Sequence, residues 1–138
     1  MNTLKSIFIL LVVLCSPILL NAEKIIVGAE RTEQYVPLLK GKRIAILSNH
    51  TGMVEDKHTL DVMLENGLNV TTIFSPEHGF RGKADAGEHV SSSVDSKTGI
   101  PIASLYDGKK RMPAKEVMDN IDIIVTDIQD VGLRFYTY

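Results

Sequence analysis

The sequence predicts an α/β fold with a parallel sheet and flanking helices, on three observations. Ile44-Ala45-Ile46-Leu47, Val70-Thr71-Thr72-Ile73-Phe74 and Ile121-Asp122-Ile123-Ile124-Val125 are short apolar runs rich in β-branched residues. Each runs straight into a polar, glycine-bearing segment: Ser48-Asn49-His50-Thr51-Gly52, Ser75-Pro76-Glu77-His78-Gly79-Phe80-Arg81-Gly82, and residues 126–138. The stretches between them carry helical spacing. Open α/β sheets bind ligands in the crevice beyond the carboxyl ends of their strands. All three polar motifs are therefore expected at one edge of the sheet, facing one crevice.

The elements follow in order. Residues 1–22 read as a secretory signal peptide: Lys5, an apolar run over residues 7–14, Pro17, and Leu20-Asn21-Ala22 as a small-residue cleavage site. The run is short of the about 20 apolar residues a membrane span needs, and Pro17 interrupts it. Cys15 suggests a lipoprotein, but Leu14 stands where a lipobox wants a small residue. The product is expected to be exported, periplasmic or extracellular, with no stable membrane insertion after cleavage. A helix is expected over residues 30–39, stopped by Gly41, then a strand over 43–48. A second helix over 57–65 puts Leu60, Met63 and Leu64 on one face and stops at Asn66-Gly67. A strand over 69–74 leads into a long connection, 75–99, of the length that is usually functional or disordered. A short strand over 102–106 follows. Pro113 opens a helix to about residue 120, and 121–126 reads as the central, most apolar strand. The chain stops just past a motif, without a closing helix, which suggests a fragment of a longer protein.

Composition narrows the function. Residues 23–138 suffice for one small domain with its own core. Loss of Lys5 with the leader turns a formal net charge of −2 into −3. There is no basic stripe, so nucleic acid is not an expected partner. The mature chain has no cysteine, which is compatible with export because disulfides are optional there.

The motifs carry the chemistry. Glu77 sits between Pro76, which stiffens the backbone, and His78-Gly79, which lets it turn. A carboxylate held this way in a cleft serves as a general acid or nucleophile, or else caps a loop N–H. Asp127 falls where the third strand meets the crevice, as a working carboxylate or a turn former; Asp130 reads as a turn former. The amides Asn49 and Gln129, the imidazoles His50 and His78, the guanidiniums Arg81 and Arg134 and the ring of Tyr136 are candidate substrate-binding groups. A guanidinium at a crevice can hold a substrate carboxylate bidentately or pair with a neighbouring acid. His50, His78 and Asp127 match no metal-ligand spacing, and no metal or cofactor is expected. His58 and His89 read as surface residues. No GxGxxG, Walker or GxSxG motif supports nucleotide binding or serine-hydrolase chemistry.

Taken together, Leu39-Lys40-Gly41-Lys42-Arg43, the Ser48 and Ser75 motifs quoted above, Asp85-Ala86-Gly87-Glu88, Thr98-Gly99-Ile100-Pro101, Ser104-Leu105-Tyr106 and residues 127–138 resemble the NamZ family of bacterial exo-β-N-acetylmuramidases. The resemblance spans the mature chain from about Val27. It implies a Rossmann-like N-terminal domain over 23–138, incomplete and truncated before a smaller C-terminal domain, with the active site in the cleft between the two. It implies release of N-acetylmuramic acid from the non-reducing end of peptidoglycan fragments, with muropeptides or disaccharides as substrates. The family's motif glutamate falls on Glu77, and Asp127 is carried over as its catalytic companion. Open alternatives are a metal-dependent hydrolase using His50, His78 and Asp127, a non-catalytic cell-wall sugar-binding module, and an inactive fragment.

Overall fold

A computed structural model of the chain describes residues 25–76, 79–81, 93–105, 112–129 and 132. The signal-peptide region, Glu77, His78, His89, Asp130, Arg134 and Tyr136 lie outside the described residues.

After a 3-10 turn at Gly28–Glu30 come α1 (Thr32–Leu39), β1 (Ile44–Ser48), β2 (Met53–Val54) and β3 (Lys57–His58). Then follow α2 (Thr59–Glu65), β4 (Val70–Ser75), β5 (Ser93–Val94), β6 (Pro101–Ser104), α3 (Lys115–Met118) and β7 (Ile123–Asp127). The main sheet has the order β5-β6-β4-β1-β7. β6, β4, β1 and β7 run parallel, and β5 is an antiparallel edge. The fold is α/β, as the apolar runs imply.

β1 and β4 are nearly continuous buried runs, as expected of parallel strands covered on both faces. Their side chains join Leu39, Leu60, Met63, Leu68 and Phe80 in one core. α2 ends where the sequence says it should. Gly67 takes φ of 72°, the Leu68 N–H donates to the Met63 carbonyl at 3.1 Å, and the Gly67 N–H donates to the Leu64 carbonyl at 2.9 Å. That is a Schellman cap, closed by core contact of Leu68 and Met63. At the amino ends of β1 and β7, Arg43 Nη2 lies 2.7 Å from Asp122 Oδ1, and the Arg43 N–H donates to Asp122 Oδ2 at 2.7 Å. These bonds hold the exposed Asp122 carboxyl at about 2 and pin the register of the two strands.

Three expectations are corrected. The second helix begins at Thr59, not residue 57, because Lys57 and His58 pair with Val54 and Met53 in a small hairpin. His58 is buried, not a surface residue. The strand expected at the centre lies at the end of the described sheet order, with alternating exposure and Ile124 42% exposed. The centre belongs to β4 and β1. The chain steps outward from β1 through β4 to β6, then crosses back to the far side of β1 to form β7.

Candidate functional site

β1 and β7 are parallel neighbours, so their carboxyl ends lie side by side at the edge of the sheet where open α/β sheets bind ligands. Ser48, the last residue of β1, pairs with Asp127, the last of β7. The Ser48 motif and residues 127–129 therefore leave the sheet side by side.

The Ser48 loop is held from within. The buried Asn49 side-chain oxygen accepts the Thr51 N–H at 2.9 Å and the Thr51 hydroxyl at 2.7 Å. This is the local turn that Asn forms best. The Thr51 hydroxyl oxygen also accepts the Gln129 N–H at 3.3 Å, so the two loops are stitched across the crevice. From below, His58 Nδ1 accepts the Leu60 N–H at 3.2 Å. Its Nε2 therefore carries the proton and donates to the Asn49 carbonyl at 2.8 Å. The His58 ring lies 4.4 Å from that of Phe80. Burial, aided by the Arg81 charge, pushes the imidazole below its ordinary value of 6.5 and keeps it neutral.

Asp127 is the best-defined carboxylate of the crevice. Its Oδ2 accepts the Thr59 hydroxyl at 2.5 Å. It is half-buried at the wall of a cavity of about 710 Å³ that Thr51, Thr59, Gln129, Tyr35 and Met53 also line. Gly52 makes room for it: a Cβ there would stand 2.3 Å from Ser48 Oγ, 3.0 Å from Asp127 Oδ2 and 3.2 Å from the Asp127 carbonyl. Below about 3 Å something must move, so only glycine fits this approach.

Of the residues picked from the sequence, Asp127 and Gln129 line this cavity, while Asn49 is buried inside the Ser48 loop and His50 is exposed on it. Arg81 is engaged elsewhere. Its Nε and Nη2 donate to the two oxygens of the buried Asp95 at 2.7 and 2.8 Å. Its guanidinium also lies 5.1 Å from the centre of the Phe80 ring and 3.7 Å from Asp61. Asp95 further accepts the Thr98 N–H and hydroxyl at 3.1 and 2.7 Å. Among the described residues, no three His, Cys, Asp or Glu side chains gather as a metal site, and no helix is long and apolar enough to cross a membrane.

Sequence reading passed over Thr59 and Asp95 and took His58 for a surface residue. Asp95-Ser96-Lys97-Thr98-Gly99 is legible as a turn, since Asp bonds its backbone two or three residues on. Nothing in the spacing signals that Asp95 meets Arg81, or that Thr59 meets Asp127 across 68 positions.

Residues 44–138 match the family described as exo-beta-N-acetylmuramidase NamZ, N-terminal. The chain belongs to the NamZ family. It is 49% identical over 106 residues to the peptidoglycan beta-N-acetylmuramidase NamZ of Bacillus subtilis, covering 75% of this chain and 25% of that protein. Two crystal structures of DUF1343 family proteins from Bacteroides fragilis share the NamZ-type fold described here. One is 57% identical with a TM-score of 0.66, covering 80% of this chain and 27% of the other. The second is 39% identical with a TM-score of 0.69, covering 80% and 28%. The chain thus spans about a quarter of the length of these relatives, and the likeness places it in a family of cell-wall glycosidases.

Proposed function

We propose that the chain is the N-terminal catalytic part of an exported exo-β-N-acetylmuramidase. The reaction is hydrolytic release of N-acetylmuramic acid from the non-reducing end of peptidoglycan fragments. The observation that carries this reading is the NamZ family match over 44–138, in a chain whose crevice at the carboxyl ends of β1 and β7 holds a half-buried carboxylate, Asp127. Residues 1–22 act as the leader, and the product works in the periplasm or outside the cell.

Glycoside hydrolysis commonly uses two carboxyl groups flanking the scissile bond. Glu77, in the motif that carries the family resemblance, is assigned as the acid–base group. Asp127 is assigned as the companion that stabilises or attacks the anomeric centre. His50, His78, Gln129 and Tyr136 are assigned to the sugar, and Asn49, buried and bonded to Thr51, shapes the loop that carries His50. Muramic acid bears a lactyl carboxylate, which suits a guanidinium in the cleft. Arg81 already spends Nε and Nη2 on Asp95, so Arg134 is the stronger candidate for that contact.

The test uses the complete gene product with a chromogenic N-acetylmuramide. Glu77→Gln keeps the shape and removes the ionisable group, and should cost about 100-fold or more in turnover without unfolding the protein. Near-normal turnover would remove Glu77 from the chemistry. Binding of muropeptides without turnover by the wild type would favour a sugar-binding module instead. Exchanging the muramide for an N-acetylglucosaminide, which lacks the lactyl group, should abolish most of the wild-type rate. Arg134→Ala should collapse that preference.

A further inference from the structure

We infer that Thr59 is a positioning residue for the Asp127 carboxylate, holding it aimed into the crevice; this rests on the reading of Asp127 as a working carboxylate. Thr59 is the first residue of α2, 68 positions before Asp127 in the chain. Its backbone N–H donates to the Gly52 carbonyl at 2.9 Å, which ties the start of the helix to the Ser48 loop. Its side chain is buried and β-branched, so few χ1 rotamers are open to its hydroxyl. That hydroxyl donates to Asp127 Oδ2 at 2.5 Å. Gly52, on the other side, lets the carboxylate sit this close to the loop by having no Cβ.

The arrangement has a chemical consequence. A hydroxyl has a single proton, and an ionised carboxylate only accepts. The bond therefore restrains rotation of the Asp127 carboxyl group. The hairpin β2–β3 matters here because it returns the chain from the Ser48 loop so that residue 59 arrives under β7. Thr59 needs no contact with substrate for this role.

The experiment compares Thr59→Val, Thr59→Ser and Asp127→Asn in the complete gene product, with thermal melts to establish folding. Valine keeps the branched shape and removes the donor; serine keeps the donor. Thr59→Val should lower kcat about tenfold or more, as for loss of a hydrogen bond to a charged group, with little change in KM. Thr59→Ser should restore kcat. If Asp127→Asn is inactive while folded Thr59→Val keeps the wild-type kcat, the inference is overturned and the role of Asp127 survives. A lower kcat that Thr59→Ser does not restore, or one accompanied by a matching rise in KM, also overturns it, since that is what a purely structural threonine would give. If Asp127→Asn turns over normally, the assignment of Asp127 fails and this inference fails with it.

Discussion

Asp95 offers a quantitative test of the frame around the Ser75 motif. It is 3% exposed and accepts four hydrogen bonds, two from Arg81 and two from Thr98. Chiefly through the Arg81 bond, its carboxyl is held at about 2 against an ordinary 3.8. At about 1.36 kcal/mol per pH unit, that gap is worth about 2.4 kcal/mol of folding stability at neutral pH. Replacement by Asn keeps the shape and removes the charge. The Arg81 guanidinium is 25% exposed and keeps Asp61 at 3.7 Å, so the loss should stay below the roughly 3–5 kcal/mol of breaking a fully buried pair. We expect Asp95→Asn to cost about 2–3 kcal/mol in urea unfolding at pH 7. The sign of the pH dependence follows from the lowered value. The stability is complete above the unfolded value of 3.8 and disappears as pH falls through about 2. The gap between wild type and variant should therefore narrow over that window, whatever other acids do. A gap under about 0.5 kcal/mol at pH 7, the scatter of ordinary surface substitutions, or one that persists unchanged through the window, would refute the reasoning.

Gly52→Ala should destabilise by about 1–3 kcal/mol, as overpacking does, because its Cβ would meet Ser48 and Asp127 at 2.3–3.2 Å; a melt at the wild-type temperature would remove the close approach from the account. His58 has a lowered folded value, so its contribution is complete above its ordinary 6.5 and is lost as pH falls below it; His58→Gln should flatten the stability profile on the acid side of 6.5, and an unchanged slope there would count against a neutral buried imidazole. The mature protein should begin at or near Glu23; mass spectrometry finding Met1 retained, or lipid on Cys15, would overturn the leader assignment.

The sequence by itself determined what short-range physics controls. Strands appear at the β-branched runs because those residues suit a pleated surface covered on both faces. The stop of α2 at Gly67 is legible because its bonds reach no more than five residues back. The motifs themselves carried the family resemblance. Tertiary structure alone decided where β7 lies, because strand order depends on which side of β1 the chain returns to, and no local pattern records that. The burial of His58 followed from the hairpin that pulls residues 57 and 58 out of the expected helix and under Phe80. It also decided that Arg81 binds Asp95, 14 positions away, and that Thr59 meets Asp127 across the β1–β7 junction. These pairings are long-range hydrogen bonds between common residue types. Their sequence signal is no stronger than that of any other threonine or arginine, and only the folded backbone brings the partners within reach.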